Sequence, residues 1–328
     1  MNWPENILLI RLKSIGDILF ALPAVHVVRD NFPNAKLHFL TSKEFAPLVR
    51  GFADVDEIIP LDRSVYRAGN FQNAAAGTFQ FLRQLTEINA SLAIDFQGYS
   101  ETEWLAWWSG ATERWGNVYK KSRGWTFTQT SWREVTTHPA EWNLTLLRRC
   151  GLKAENVRNE FHLPDDALEK ARRFFFANKL DLDKRTIFIQ PFTSNPQKNW
   201  PLENFLELAR HFRQRSVQII FGGGAGDREK LAPVVAAGFP VSAGAPLLVS
   251  GGIAKLSTLV IGADTGLLHF SVAMGKRVVM LMYSNAPGTS HPFQHADWAI
   301  TPANGNVVAE IKTGAVIESA ERALAESI

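Results

Sequence analysis

The sequence predicts an α/β fold built on two parallel sheets, because short apolar runs alternate with longer amphipathic segments twice along the chain. The chain has 328 residues, which is too long for one ordinary core, so two domains are expected. Hydrophobic residues make up 46% and charged residues 20%, a composition typical of globular proteins. Right-handed crossovers between the strands would make each half a Rossmann-like domain.

The first half of the chain alternates strand-like runs with helical patterns. The strand-like runs are residues 7–12, 37–40, 57–60 and 92–96. The helical patterns are residues 17–31, 43–50 and 71–88, and residues 138–150 follow after a stretch in which the alternation weakens. This order predicts a parallel sheet whose strands are joined by helices.

The alternation restarts near residue 186 and predicts a second sheet. Strands are expected at residues 186–190, 217–221, 256–261 and 277–282, and helices at residues 202–214, 227–237, 267–274 and 307–326. We place an N-terminal domain at residues 1–160 and a C-terminal domain at residues 161–328, with the last helix either in the second domain or packed back on the first. Two such sheets facing each other would form a cleft, where ligands bind in folds of this kind.

Charge and cysteine content narrow the classes of function. The net charge of +3 and the pI near 9.0 suit an acidic ligand or an anionic membrane surface. The sequence has no block of lysines and arginines and no RNA-binding aromatic motif, so nucleic acid is not expected as a partner. The first residues lack the pattern of a signal peptide, and Cys150 is the only cysteine, so we expect a cytoplasmic protein.

A lone acid lies where the first strand ends and the first helix begins, in the segment RLKSIGDILF (residues 11–20). The dipole of that helix would keep Asp17 ionised, and Gly16 leaves room for a ligand to approach it. A purely structural role at the start of the helix explains the same aspartate.

The segment PFTSNPQKNWP (residues 191–201) follows the first strand of the second half. Thr193 and Ser194 offer hydroxyl and backbone N–H groups, and Lys198 offers a positive charge, so the segment suits a phosphate group. A polar loop with a solvated lysine accounts for these residues equally well.

The segment GADTGLLHF (residues 262–270) follows the third strand of the second half, and a helix opens at Thr265 and Gly266. The unbonded N–H groups at that helix start would stabilise an anion, and His269, one turn along, would donate to a phosphate oxygen. We expect Asp264 to cap the helix or orient its neighbours, because a carboxylate repels phosphate. An ordinary capped helix with a core histidine is the alternative.

The glycine-rich segment GGGAGDRE (residues 222–229) would let a ligand approach the backbone closely. Its glycine spacing differs from the dinucleotide-binding fingerprint, so NAD binding is not expected. Glu229 is a candidate for a ribose or base contact, whereas Asp227 is better explained as a helix-start acid.

The chain resembles the heptosyltransferase family, glycosyltransferase family 9, which builds the inner core of bacterial lipopolysaccharide. The resemblance covers nearly the whole chain and is carried by ILLIRLKSIGDILFALPAV (residues 7–25), KNWPLENF (residues 198–205) and DTGLLHFSVAMGK (residues 264–276). It implies a GT-B fold, in which two Rossmann-like domains face each other across a cleft. It also implies that a heptose is transferred from ADP-heptose with inversion, and without a metal or other cofactor.

The resemblance further implies roles for individual residues. Asp17 matches the proposed general base of the family, which would take a proton from the attacking hydroxyl. The residues that match its nucleotide-binding positions are Thr193, Ser194, Lys198, Glu229, Asp264, Thr265, Gly266 and His269. Two Asp-x-Asp pairs, Asp54/Asp56 and Asp181/Asp183, are interpreted as solvated loop acids and not as a metal site.

Seven of the ten tryptophans fall between residues 104 and 142. Trp104, Trp107 and Trp108 have the spacing of one helix face, which predicts that they pack into the core, with a membrane-facing surface as the alternative. Trp125 is set apart from these three, because it follows a loop of basic residues.

Basic residues in the first half are the candidates for acceptor binding, together with Gly16 beside Asp17. Those near Trp125 would suit a lipid-linked, phosphorylated glycan that a peripheral enzyme meets transiently at the inner leaflet of the membrane. They are Lys120, Lys121 and Arg123. Arg63 and Arg67 would bind an acidic sugar of the acceptor, with a solvated loop as the alternative.

Two departures from the family pattern leave the donor sugar open. The segment YSNAPG (residues 283–288) stands where the family has a Gly-Pro-Thr-like turn, and residues 241–257 are not expected to form the usual leucine-rich helix. The alternatives are a GT-B transferase or epimerase that uses another nucleotide sugar, and a non-catalytic paralogue that binds a nucleotide sugar.

Overall fold

The computed structural model describes residues 4–63, 71–120, 124–284, 286–303 and 307–326, with only the backbone for residues 71–74. The chain forms two compact units, Met1–Glu160 and Phe161–Ile328. Each unit contains a six-stranded parallel sheet within these ranges, which confirms the predicted α/β class. In the same ranges, no helix is both long enough and apolar enough to cross a membrane.

The first unit is built on six parallel strands. They are β1 (Asn6–Ile10), β2 (Lys36–Ser42), β3 (Glu57–Leu61), β4 (Leu92–Asp95), β5 (Glu113–Val118) and β6 (Gln129–Trp132). The helices between and after them are α1 (Ile15–Leu19), α2 (Leu22–Asn31), α3 (Ala46–Val49), α4 (Phe71–Glu87), α5 (Ser100–Trp108) and α6 (Pro139–Arg149). The strand order is β3-β2-β1-β4-β5-β6, which is that of a Rossmann-like domain.

The central strand β1 was recognisable because it is buried on both faces. Every residue of β1 after Asn6 is fully buried, so the strand reads as an unbroken apolar run. Its register sets Ile7 beside Leu37 of β2 and beside Leu92 of β4.

Three local predictions for the first unit were wrong. The single helix expected over residues 17–31 is divided into α1 and α2, since Pro23 has no N–H to continue the hydrogen bonds of α1. Strands β5 and β6 were not predicted, because β5 begins with two charged residues and β6 is largely polar and exposed. An edge strand such as β6 does not need an apolar face on both sides.

The second unit repeats the same topology. Its strands are β7 (Thr186–Gln190), β8 (Gln218–Gly223), β9 (Val241–Ala243), β10 (Leu259–Ala263), β11 (Val278–Leu281) and β12 (Ala299–Ile300). Its helices are α7 (Asp165–Ala177), α8 (Leu202–Arg213), α9 (Ala232–Ala236), α10 (Leu247–Leu256), α11 (Gly266–Ala273) and α12 (Thr313–Glu326). Its strand order is β12-β11-β10-β7-β8-β9. Read from β9 to β12, with β7 counted as the first strand, this is the order of the first sheet.

Helix α10 corrects the expectation that residues 241–257 lack a helix. Two adjacent glycines disguise it in the sequence, yet each marks a close contact in the fold. A Cβ on Gly251 would lie 2.1 Å from the ring of Phe270, and one on Gly252 would lie 2.7 Å from the Cβ of Ala171. The glycines therefore allow α10 to pack closely against α7 and α11.

The last helix, α12, belongs to the second unit. Its buried residues Val316, Ala320, Ala323 and Leu324 are part of the core formed with α8, β10 and β11. Its apolar face is therefore covered within the second unit.

Gly98, which follows β4, provides a test of how the loop after that strand is held. Its φ is +66°, and a Cβ there would lie 1.9 Å from the backbone oxygen of Asn117. Gly98→Ala should lower the free energy of unfolding by about 3 kcal/mol, through left-handed strain and collision together. Gly110→Ala is the matched control, because φ is +74° but nothing lies within 4 Å; it should cost about 1 kcal/mol. Equal thermal midpoints for the two variants would contradict the close approach.

Candidate active site

In each unit the chain order reverses between the two central strands, β1 and β4 in the first sheet and β7 and β10 in the second. The loops that leave such a pair diverge and form a crevice at the carboxyl edge of the sheet, where ligands bind. Asp17 follows β1 and Asp95 ends β4. Lys198 follows β7 and Asp264 follows β10. Both switch points therefore carry charged side chains.

Asp17 lies in the first turn of α1, with 39% of its side chain exposed. Its Oδ1 forms an ion pair with Nη2 of Arg11 at 2.7 Å. Its Oδ2 accepts hydrogen bonds from the backbone N–H and the hydroxyl of Ser14, at 3.1 and 3.0 Å. The peptide bond between Lys13 and Ser14 is cis. The carboxylate is thus fixed in orientation while it stays accessible.

The electrostatics around Asp17 keep it ionised. Burial by itself raises the pKa of the Asp17 carboxyl, but the Arg11 guanidinium and the hydrogen bonds from Ser14 outweigh it and lower the pKa below its ordinary value. Asp17 is therefore a weak base that is charged at neutral pH.

Arg11 is itself held by the segment that follows β4. It is 7% exposed, and its Nη1 donates to the carbonyl oxygen of Phe96 at 2.6 Å. The side-chain Oε1 of Gln97 accepts from the backbone N–H groups of Leu12 and Lys13, at 2.9 and 3.3 Å. The loop after β4 thus positions the cation that faces Asp17.

A second arginine, Arg133, lies at the same edge of the first sheet. Its Nη2 donates to the carbonyl oxygens of Phe96 and Gln97, and its guanidinium lies 5.2 Å from the ring centroid of Trp142. Burial and the neighbouring Arg11 lower the pKa of Arg133. Sequence reasoning missed Arg133 and Gln97, because they belong to no local motif. Arg11 was not singled out either, although it opens the segment RLKSIGDILF.

Asp95 is a fully buried acid beneath this edge. Its Oδ1 accepts from the backbone N–H groups of Gln97 and Gly98, at 2.7 and 3.1 Å. Burial raises the pKa of Asp95 to about 6, against the lowering effect of these hydrogen bonds. It was not singled out from the sequence, because it reads as the last residue of a strand.

Gly16, Arg63 and Lys120 are the remaining candidates of the first unit that lie among the described residues. Gly16 lies beside it in α1, but Arg63 forms an ion pair with Glu101 and is therefore not a solvated loop residue. Lys120 is exposed after β5. The other three, Arg67, Lys121 and Arg123, lie outside the described residues.

The prediction that Trp104, Trp107 and Trp108 pack into the core is wrong. Their exposed fractions are 46%, 43% and 45%. Helix α5 buries the other face, which carries Leu105 and Ala106. Helical spacing showed that the three rings share a face, but it could not tell which face the fold covers.

In the second unit, Asp264 is the centre of the charged group. Its side chain is 10% exposed, and its Oδ2 accepts from Nζ of Lys198 at 2.7 Å and from the hydroxyl of Ser290 at 3.2 Å. Its Oδ1 lies 2.9 Å from Nε2 of His269. Asp264 therefore orients its neighbours, as expected, while Thr265 caps the helix.

These partners decide the charge state of Asp264 and the direction of His269. Burial alone raises the pKa of Asp264, but His269 and Lys198 lower it well below its ordinary value. His269 is 6% exposed with its Nε2 directed at Asp264, and its expected donation to a phosphate oxygen stays a prediction. Lys198 is one-third exposed and remains the accessible cation.

Helix α11 opens beside this group. Oγ1 of Thr265 accepts from the backbone N–H of Leu268 at 3.4 Å, and Gly266 is the first helical residue. The first N–H groups of an eight-residue helix therefore lie directly after β10. They supply partial positive charge near Lys198.

The loop after β7 is folded by its own side chains. The hydroxyl of Thr193 donates to the carbonyl oxygen of Asn195 at 2.6 Å, and the Thr193 N–H donates to Oδ1 of Asn199 at 2.8 Å. Ser194 is exposed beside it. Thr193 therefore shapes the loop that ends at Lys198.

Glu229 lies apart from these contacts, in an exposed turn after the short 3₁₀ helix Ala225–Asp227. Asp227 accepts from the backbone N–H of Gly224 at 2.9 Å, which agrees with its expected role as a helix-start acid.

Over the ranges that the structure covers, no group of three or more histidine, cysteine, aspartate or glutamate side chains is placed to hold a metal ion. Of the pair Asp54/Asp56, Asp56 is exposed as expected, whereas Asp54 is partly buried. Asp54 bonds the buried His26, and Asp56 accepts from Arg29 and from the backbone N–H of Leu37. These contacts join the residues just before β3 to helix α2 and strand β2.

The chain matches a family of known proteins. The sequence model of glycosyltransferase family 9 (heptosyltransferase) matches residues 78–314. Lipopolysaccharide heptosyltransferase 1 of Pseudomonas aeruginosa is 25% identical over 290 residues, which is 86% of this chain and 80% of that protein.

Two solved structures show the same fold. A glycosyltransferase of family 9 from Veillonella parvula has a TM-score of 0.87 at 22% identity, with 99% of each chain covered. The Escherichia coli heptosyltransferase WaaC with ADP has a TM-score of 0.79 at 20% identity, covering 97% of this chain and 99% of that one. Asp17 precedes the matched residues 78–314, whereas Lys198 and Asp264 lie within them.

Asp95 makes stability depend on pH. Its pKa is about 6 in the folded protein against 3.8 ordinarily, so between these values the folded state keeps a proton that the unfolded state has released. Stability should therefore fall as pH rises through this window. Asp95→Asn removes the titration, and from pH 4 to 6.5 the variant should gain about 2 kcal/mol relative to wild type. Denaturant unfolding at several pH values measures this, with the exposed Asp183→Asn as control. A wild-type-minus-variant difference that is flat with pH would refute it.

Proposed function

Because the chain belongs to glycosyltransferase family 9, the heptosyltransferase family, we propose that it transfers a heptose from ADP-heptose to the inner core of a lipid-linked lipopolysaccharide acceptor. The observation that carries the proposal is Asp17, an ionised and accessible carboxylate fixed by Arg11 and Ser14 at a switch point. Two relatives support the proposal. One is a lipopolysaccharide heptosyltransferase, and the other is a heptosyltransferase whose structure contains ADP.

In the proposed reaction, a hydroxyl of the acceptor attacks the anomeric carbon of the heptose from the face opposite ADP, so the configuration inverts. The new C–O bond forms as the bond to the diphosphate breaks, and ADP leaves with the electron pair. Asp17 takes the hydroxyl proton. Because Arg11 lowers the pKa of Asp17, proton transfer comes late, when the hydroxyl has become acidic, and Asp17 contributes mainly by its position.

The second unit is proposed to hold the departing diphosphate. Lys198 supplies a full positive charge, and the N-terminus of α11 supplies N–H donors and a partial positive charge. Asp264, supported by His269, directs Lys198. With these groups the proposed reaction needs no divalent metal. Glu229 is proposed to contact the ribose, and the loop of Thr193 and Ser194 the phosphates.

The acceptor is proposed to approach Asp17 beside Gly16, which has no side chain of its own. Lys120 and its sequence neighbours Lys121 and Arg123 would meet phosphates of the acceptor. Arg63 could bind an acidic sugar only by leaving Glu101. We place this reaction in the cytoplasm, at the inner leaflet, where the acceptor's lipid lies.

Asp17→Asn tests the assignment of the base. With ADP-heptose and a de-acylated core acceptor, wild type should release ADP, and the variant should be slower by about 10²–10⁴-fold in kcat, since Asn cannot take a proton. Asp30→Asn is the matched control, because Asp30 lies near the end of α2 and pairs with Arg158; it should keep wild-type turnover. A coupled assay for ADP measures the rates.

The same assay separates the alternatives. Full turnover by Asp17→Asn would sink the base assignment. Turnover with another nucleotide sugar but not with ADP-heptose would change the donor, and ADP binding without any turnover would indicate a non-catalytic protein. Activity that disappears with a chelator and returns with a divalent ion would overturn metal independence.

Arg11→Met tests the electrostatic setting of Asp17. Since the Arg11 guanidinium lowers the pKa of Asp17, its removal should raise that pKa, so the base is protonated at higher pH. The acidic limb of the kcat/KM profile should then move to higher pH. Arg11→Lys keeps a cation and should move the limb less. An unmoved limb in Arg11→Met would show that another group titrates there.

A further inference from the structure

Four tryptophans form one exposed surface on the first unit, called here the aromatic patch: Trp104, Trp107, Trp108 and Trp125. Trp125 is 68% exposed and the other three are a little under half exposed. The rings touch edge to face in a chain, with centroid distances of 5.4 Å for Trp104–Trp125, 5.7 Å for Trp104–Trp107 and 5.3 Å for Trp107–Trp108. The patch is therefore contiguous.

The patch rests on a rigid base. Glu103 is 5% exposed, and its Oε1 accepts from the backbone N–H of Gly124 at 2.9 Å and from the hydroxyl of Thr126 at 3.4 Å. This buried carboxylate ties the segment that carries Trp125 to helix α5. The tryptophans are thus held together before any partner arrives.

The charges around the patch favour an anionic partner. Of the two acids in the first turn of α5, Glu101 is paired with Arg63 and Glu103 is buried. Lys120 is exposed, and its neighbour Tyr119 packs on Tyr99 at the start of α5, with ring centroids 5.5 Å apart.

The size and chemistry of the patch indicate its partner. Four half-exposed indoles present on the order of 400 Å² of ring surface, which is the size of the largest apolar patch on a typical monomer, and such patches are often functional. Among the described residues from 99 to 125, every exposed large apolar side chain is tryptophan or tyrosine. These amphipathic rings are the residues enriched at the level of lipid headgroups, because one end of the ring prefers hydrocarbon and the other water.

We propose that the aromatic patch docks this protein onto the surface of an anionic phospholipid bilayer, with the indoles inserted at headgroup level and Lys120 against lipid phosphates. This goes beyond the proposed reaction, and it does not depend on it, because the surface is complete without donor or acceptor. Insertion would hold the first unit at the membrane without any spanning helix.

Co-sedimentation with vesicles of phosphatidylethanolamine and phosphatidylglycerol tests the proposal, using the whole chain without substrates. Wild type should sediment, and the triple variant Trp104→Ser, Trp107→Ser, Trp125→Ser should partition at least about tenfold less, since bilayer affinity scales with inserted apolar area. Lys120→Gln should lower partitioning about fivefold at low salt. Phe176→Ser, which removes an aromatic ring that is 86% exposed on α7, is the matched control and should bind like wild type.

Three results would overturn the proposal: wild type that stays in the supernatant, a triple variant that sediments like wild type, or equal binding to phosphatidylcholine vesicles. Light scattering adds a fourth, because a wild-type dimer that the triple variant converts to monomer would make the patch a self-association surface. If circular dichroism shows that the triple variant is unfolded, Trp125→Ser alone replaces it, with an expected loss of about threefold.

Discussion

The pairing of two central strands that lead to opposite halves of the sheet is the constraint on which both units depend. Strand β1 pairs with β4, and β7 pairs with β10, and each pair is buried deep in its unit. The chain leaves the two strands of a pair in opposite directions, so their loops cannot cover the carboxyl edge between them. The charged side chains of the proposed reaction lie at these two edges. The fold thus provides the location, and the loops provide the chemistry.

Each edge contains an aspartate held by cations, but the two are held differently. Asp17 has one arginine and one serine as partners and keeps 39% of its side chain exposed. Asp264 is 10% exposed and is bonded by Lys198, His269 and Ser290. An accessible carboxylate can take a proton from a substrate, whereas a saturated one can only direct its partners. This contrast in exposure and bonding, more than the residue type, supports the proposed division of roles between Asp17 and Asp264.

The parts of the fold that were predictable are those whose local pattern matches their burial. The first and last residues of β7 were predicted correctly, because its apolar run lies between polar segments. The strands β5 and β6 and the helix α10 were missed. Charged and polar residues interrupt β5 and β6, and the glycines of α10 weaken its helical pattern while they make its packing possible. In these elements tertiary contacts override local preference.

The sequence by itself determined the α/β class, the acid between β1 and α1, the lysine after β7 and the helix opening at Thr265. Each of these is a feature of neighbouring residues, which a local pattern can reveal. Only the tertiary structure decided that Phe96 and Gln97 hold Arg11 and its neighbours, 84 or 85 positions away. It also decided that His269 faces Asp264 and that the tryptophans of α5 face outward. Such contacts depend on which strands become neighbours and which helix face is covered, and no local spacing specifies either.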